Sequence, residues 1–234
     1  MGGKSRATAT IVDAETAAVA VDARTTRRAS DSARTTILTA AIQILGRHGA
    51  GAFTVRAVAA AAGCSTTGVY TWFGSKNGLV EAIYIDGFER FGIALSAAES
   101  AAAPGELLND LGAAYRRWAL ANSTHYAVMF SNPVADFRPS AQACAASLVT
   151  FETLVRAVAA AAAAGFVVGE PHHIAQHLWA GIHGYVSLEL AGMGLADGAS
   201  DPAFGDPAFG DPAFGDPAFG DTVFQRGNPA FGDT

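Results

Sequence analysis

The sequence predicts an all-α protein: an N-terminal three-helix helix-turn-helix domain joined by a long helix to a C-terminal helical domain. Three observations carry that expectation. Alanine dominates a chain that is 50% hydrophobic and only 15% charged, while strand-length runs of Val, Ile and Thr are scarce. Apolar residues recur at steps of three and four. Ser, Thr or Asp stands ahead of several of these runs, and Gly or Pro closes them. At 234 residues the chain is long enough to bury a substantial core.

Residues 1–30 lack a sustained apolar period and read as a disordered tail, whose Arg24, Arg27 and Arg28 either stay solvated or reach phosphates or a minor groove. Asp31 or Ser32 is expected to cap a first helix with Ile37, Leu38, Ala41, Ile44 and Leu45 on one face, ending at "GRHGAG" (Gly46 to Gly51). Thr54 caps a short helix over Val55 to Ala62, Gly63-Cys64 forms a turn, and Ser65 caps a third helix ending near Phe73. Ser75 caps a longer fourth helix with Val80, Tyr84, Phe88, Phe91 and Leu95 on one stripe. The helix-turn-helix domain is therefore expected over residues 31–95.

Pro104-Gly105 divides this unit from the next, expected over 96–195. Its first helix, Glu106 to Ala121, turns Leu107, Leu111, Tyr115 and Trp118 inward, and a short one covers Ser123 to Phe130. A long helix carrying Leu148, Phe151, Val155 and Val158 closes near Gly165; Pro171 opens the last, with Ile174, Leu178, Ile182, Val186 and Leu190 four apart. Within residues 196–234, "DPAFG" occurs four times in tandem. Its Asp-Pro and Gly disfavour helix and strand, and five-residue units are too short to stack as a solenoid. This segment reads as a disordered tail, with Phe204, Phe209, Phe214 and Phe219 either a tolerated duplication or spaced handles for a partner.

The net charge of −6 is uneven. Residues 1–90 hold ten Lys and Arg against seven Asp and Glu, and residues 91–234 five against fourteen. A basic front on an acidic remainder is compatible with a local nucleic-acid surface. Cys64 and Cys144 read as free thiols in a reducing compartment. Asp13 and Glu15 interrupt any secretory core, and the apolar stretch Ala157 to Gly169 is shorter than the roughly 18 residues of a membrane span. These features predict a soluble, cytoplasmic protein without a membrane partner. No nucleophile elbow, phosphate-binding glycine loop or recognisable pair of carboxylates points to an enzyme or a cofactor; His183 and Glu189, six apart, fall on different helix faces. His172, His173 and His177 lack an HExxH frame or a nearby Cys, so they read as capping or surface histidines, with no metal site expected.

Two helices around a Gly-containing turn form a helix-turn-helix, whose second helix enters the major groove. Thr66, Thr67, Gly68 and Thr71 are short enough to approach base edges, and each threonine offers a hydroxyl and a methyl. Tyr70 can donate to a phosphate, and Lys76 adds a charge beside the free N–H groups of the next helix. Val69 and Phe73 should face the core. The segment "TVRAVAAAAGCSTTGVYTWFGSKNGLVEAI" resembles the DNA-binding domain of the tetracycline-repressor (TetR) family of transcriptional regulators, over roughly Arg34 to Phe88. The likeness includes the spacing from Gly63 through Gly68, Tyr70 and Phe73 to Ser75-Lys76 and Leu79. Trp72 stands where the family often has histidine, keeping an N–H donor on a bulkier ring. The candidate DNA-contacting residues are Thr54, Arg56, Ser65, Thr66, Thr67, Gly68, Tyr70, Thr71, Trp72 and Lys76.

The rear resembles a C-terminal subclass of that family named for a Trp-His-Gly (WHG) signature. "YRRWALANSTHYAVMF" and "LWAGIHGYVSLELAG" carry the likeness, with Trp179, His183 and Gly184 as signature residues. The resemblance implies a small-ligand pocket and dimerisation through the last two long helices. Trp118, Tyr126, Met129, Phe130, Phe151, Trp179 and His183 either line that pocket or fill the core. Gly181 and Gly184 leave one face of the last helix smooth, and the stripe from Leu148 to Val158 meets either the protomer's own core or a partner. The expectation is a homodimeric repressor on a pseudo-palindromic operator, released by a small apolar molecule. The alternative is a helical protein-interaction module without sequence-specific DNA binding.

Overall fold

Eight helices and no strand make up the residues that the computed structural model describes, 30–100 and 106–193. The expectations for Arg24, Arg27 and Arg28, for Pro104-Gly105 and for the DPAFG repeats lie outside the described residues. The helices are α1 (30–52), α2 (Val55–Ala61), α3 (Thr66–Phe73), α4 (Lys76–Glu99), α5 (Leu107–Ala121), α6 (Ser123–Phe130), α7 (Ala141–Ala163) and α8 (Pro171–Leu190).

One expectation about α1 fails. Asp31 and Ser32 lie within its first turn, where their carbonyls accept from the Thr35 and Thr36 hydroxyls at 2.8 Å, so neither stands ahead of the helix. The helix runs on through Gly46, and Gly49, at φ 73°, is where regular geometry breaks. An exposed helical glycine costs only about 1 kcal/mol, less than burial of one Ile or Leu returns. Ile37, Leu38, Ala41 and Leu45, all buried, hold the helix regardless.

The chain forms two compact units. One runs to Ile83 and takes in Ser131–Arg138; the other comprises Tyr84–Phe130 and the chain from Pro139. The division falls within α4, where an unbroken helical stripe gives the sequence no boundary signal. In the first unit the core gathers Phe53, Val58, Val69, Leu79, Val80 and Ile83, each 1% exposed or less. In the second, α5, α7 and α8 pack on one another, and α6 packs on α5. Leu111, Tyr115 and Trp118 point inward as expected, whereas Leu107 is half-buried.

The apolar stripe of α7 does not act as one face. Val158 is fully buried, Val155 and Phe151 are half-buried and Leu148 is exposed, because the buried face of α7 is centred on Ala143, Thr150, Thr153, Ala157 and Ala161 and the stripe lies to one side of it, with Leu148 farthest away. By length and composition α7 is long and apolar enough to cross a membrane even with Glu152 and Arg156 in its run, its mean hydropathy reaching 1.5. Of the twenty residues of α8, only Ala175 and Val186 are buried.

Candidate nucleic-acid interface and ligand cavity

In the first unit the interface is built from caps. The Thr54 side chain accepts from Ala57 N at 3.1 Å and starts α2. The helix ends in a paired motif, Cys64 N donating to Ala59 O at 2.9 Å and Gly63 N to Ala60 O at 3.3 Å, with Gly63 at φ 67°. That left-handed step is why glycine stands there. Ser65 Oγ then accepts from Gly68 N at 3.1 Å to start α3, and Ser75 Oγ accepts from Gly78 N at 2.9 Å to start α4. Between them Gly74 turns at φ 69°, its N–H donating to Tyr70 O at 2.8 Å. A Cβ on Gly78 would lie 1.9 Å from Phe73 O, so only glycine lets α4 begin this close to the end of α3.

These turns fix which face of α3 is available. Val69 and Phe73 are buried as anchors, and Thr66, Thr67, Tyr70 and Thr71 are exposed. Tyr70, 51% exposed, is the one large apolar side chain among the described residues of this unit that packing leaves out. The Thr71 hydroxyl donates to Thr67 O at 2.9 Å, which leaves its oxygen as an acceptor and its methyl facing outward. A Cβ on Gly68 would meet nothing closer than Ser65 Oγ at 3.6 Å, ordinary contact. The fold therefore does not require glycine there. Lys76 Nζ lies 5.6 Å from the centre of the Phe53 ring, which holds the half-buried lysine at the start of α4. Arg56 is exposed on α2, Trp72 is half-buried, and Arg34 sits over the Phe73 ring at 5.4 Å.

The second unit contains a cavity of about 550 Å³. Of the seven ligand candidates, Met129, Phe130, Phe151 and Trp179 line it, and Trp118, Tyr126 and His183 do not. Trp118 packs on Phe91 with ring centres 5.0 Å apart. Tyr84, Phe88, Phe91 and Tyr115 complete much of the wall and were unassigned from sequence. They share stripes with ordinary core residues, and periodicity cannot reveal which core face is hollow.

Tyr126 and His183 instead form a polar chain that reaches the wall through Tyr115. The Trp179 indole N–H donates to the Tyr115 hydroxyl. Tyr115 and Tyr126 hydroxyls lie 3.2 Å apart, and they approach His183 Nδ1 at 3.1 and 2.8 Å. Burial, reinforced by the neighbouring Tyr126, pushes the Tyr115 phenol far above its ordinary range, so it stays a neutral hydroxyl. Burial also lowers His183 below its usual 6.5 and holds the ring neutral. Two hydroxyls converging on Nδ1 fit the tautomer protonated at Nε2.

Ion pairs brace the unit. Arg116 grips Glu189 through one guanidinium edge, Nε donating to Oε2 at 2.8 Å and Nη2 to Oε1, tying α5 to the last turn of α8. Asp86 accepts from Arg90 at 2.7 Å and pairs with buried His125 at 2.9 Å. Burial raises the Asp86 carboxyl, but its hydrogen bonds to His125 and Arg90 outweigh this and leave it below the usual range. Glu170, absent from the sequence-derived candidates, caps α8 by accepting from His172 N and His173 N. Among the described residues no three His, Cys, Asp or Glu converge as a metal site.

Residues 37–83 match the family model for bacterial regulatory proteins of the tetR family, and residues 108–205 match one for a tetracyclin repressor-like C-terminal domain. Solved structures agree. The regulatory protein SCO4313 is 26% identical, with a TM-score of 0.65, covering 76% of this chain and 92% of its own. A protein of unknown function from Rhodococcus sp. RHA1 is 29% identical (TM-score 0.63; 71% and 86% covered). A bacterial regulatory protein in the tetR family from Rhodococcus RHA1 is 25% identical (TM-score 0.56; 70% and 98% covered). No curated protein matches the chain.

Proposed function

Because the chain belongs to the tetracycline-repressor (TetR) family of non-enzymatic, DNA-binding transcriptional regulators, we propose that it is a homodimeric repressor of the cytoplasm, released from a pseudo-palindromic operator by a small apolar effector. The observation that carries the DNA-binding half is the outer face of α3. It presents Thr66, Thr67 and Tyr70 beside a glycine the fold does not require. Thr66, Thr67, Gly68 and Thr71 read base edges, and Tyr70, Trp72, Lys76 and Arg56 hold phosphates beside the capped residues Thr54 and Ser65. Trp179, His183 and Gly184 support the narrower Trp-His-Gly assignment for the rear.

The partner surface is α8. His177, Gly181, Gly184 and Leu188, spaced 4-3-4, lie exposed along one face, and a Cβ on either glycine would meet nothing within 4 Å in the single chain. A second α8 can approach closely there, giving an isologous interface. Two recognition helices must reach successive major grooves, about 34–36 Å apart. The effector occupies the cavity and releases DNA to the extent that it prefers the conformation with the wrong spacing.

Selection of bound duplexes from a random pool, read by sequencing, tests this reading. A shared pseudo-palindrome is the expected result. Recovery of no common motif would replace the regulator with a helical interaction module.

A further inference from the structure

The geometry points to an uncharged aromatic molecule as the occupant of the cavity, an inference that rests on reading this cavity as the effector site. Among the described residues, no Asp, Glu, Lys or Arg lines it. Its tyrosines are engaged, Tyr84 with Ser147 and Tyr115 with Trp179 and Tyr126. No buried side-chain nitrogen or oxygen among the described residues lacks a hydrogen-bond partner. A carboxylate or ammonium drawn inside would lose its hydration and find no waiting counter-charge.

The wall is aromatic as well as neutral. Phe88 and Phe130 meet edge-on at 5.7 Å, and Phe151 and Trp179 at 6.3 Å. A flat aromatic guest extends this edge-to-face packing in a way a flexible alkyl chain cannot. The exposed polar residues of the lining, Asn109, His172 and Gln176, mark its mouth, and the two amides suit a single neutral hydrogen-bonding substituent. The volume lies within the range of small-molecule pockets.

The test uses the full chain with p-phenylphenol, p-phenylbenzoate, p-phenylbenzylammonium and decanol as probes. Binding is read by tryptophan fluorescence and by the midpoint of thermal unfolding. p-Phenylphenol is expected to bind, with the two charged biphenyls weaker by about tenfold or more and decanol also weaker. Leu154→Trp and Ile182→Phe, which fill the cavity from different helices, should each abolish binding while circular dichroism stays helical. Benzoate binding as tight as phenol binding, and lost in the filled variants, overturns the ligand class and leaves the site standing. Decanol binding equally well removes the aromatic preference. Phenol binding that survives both filled variants, or no binding by any probe, overturns the site and the inference together.

Discussion

The two units dispose of their large apolar side chains differently. Among the described residues, the first leaves one exposed, Tyr70 on α3; the second leaves twelve, seven of them on α7 and α8. In the first unit every large apolar side chain among the described residues but Tyr70 is buried or half-buried, and the DNA contacts proposed for it fall mainly on polar residues of the surface. In the second, the helices close neither around their own interior, which keeps a cavity, nor over the outer face of α8. A rigid reader needs every packing decision settled internally. The ligand sensing and pairing proposed for the second unit would need surface left over for a ligand and for a second copy.

The largest expected effect tests the rigidity of the first unit. Gly78→Ala places a Cβ against the Phe73 carbonyl, which only backbone movement can relieve. It should cost about 3 kcal/mol or more, measured by urea unfolding; a near-neutral change would mean the α3–α4 junction is pliable. Gly184→Leu tests the open face of the second. The folded chain has room for the side chain, and replacing a helical glycine should slightly favour the helix. Sedimentation should nevertheless show monomers, and an unchanged dimer would move the interface off this face.

The surface of the first unit is sharpened by a pair of variants. Lys76→Ala should weaken binding to all duplexes and reduce the salt slope by about one, whereas Thr67→Ala should relax preference at one base pair, worth about 1–3 kcal/mol. Parental behaviour in both variants would leave α3 without its assigned role. The smallest effect lies in the polar chain beside the cavity wall of the second unit. His183 has a folded-state pKa below its ordinary 6.5, so its contribution to stability is present above 6.5 and is lost as pH falls through the lower folded value. Thermal unfolding across that window should flatten in His183→Gln; an unchanged pH profile would mean the ring is not held neutral by the fold.

The recognition helix was legible in the sequence because its signals are local. Thr54, Ser65 and Ser75 each cap within three residues, and Gly63 is dictated by a single left-handed turn. The start of α1 was misread because the helix already runs through Asp31 and Ser32, held by buried Ile37, Leu38 and Leu45 rather than by the cap signal on which the expectation rested.

The cavity was only half legible. Met129, Phe130, Phe151 and Trp179 were among the residues named, with core packing as the alternative, for the pocket that the family resemblance implies, and they do line the cavity. Trp118, Tyr126 and His183 meet the same description but pack or hydrogen-bond beside the wall. Sequence by itself determined helix class, the caps of α2, α3 and α4, the turns between them and the exposed face of α3, since these depend on neighbours three or four residues apart. Tertiary structure alone decided which stripe of α4 faces a hollow, that Val158 turns inward, and that Arg116 reaches Glu189 from another helix. Those outcomes depend on where distant helices come to rest, and periodicity carries no record of that.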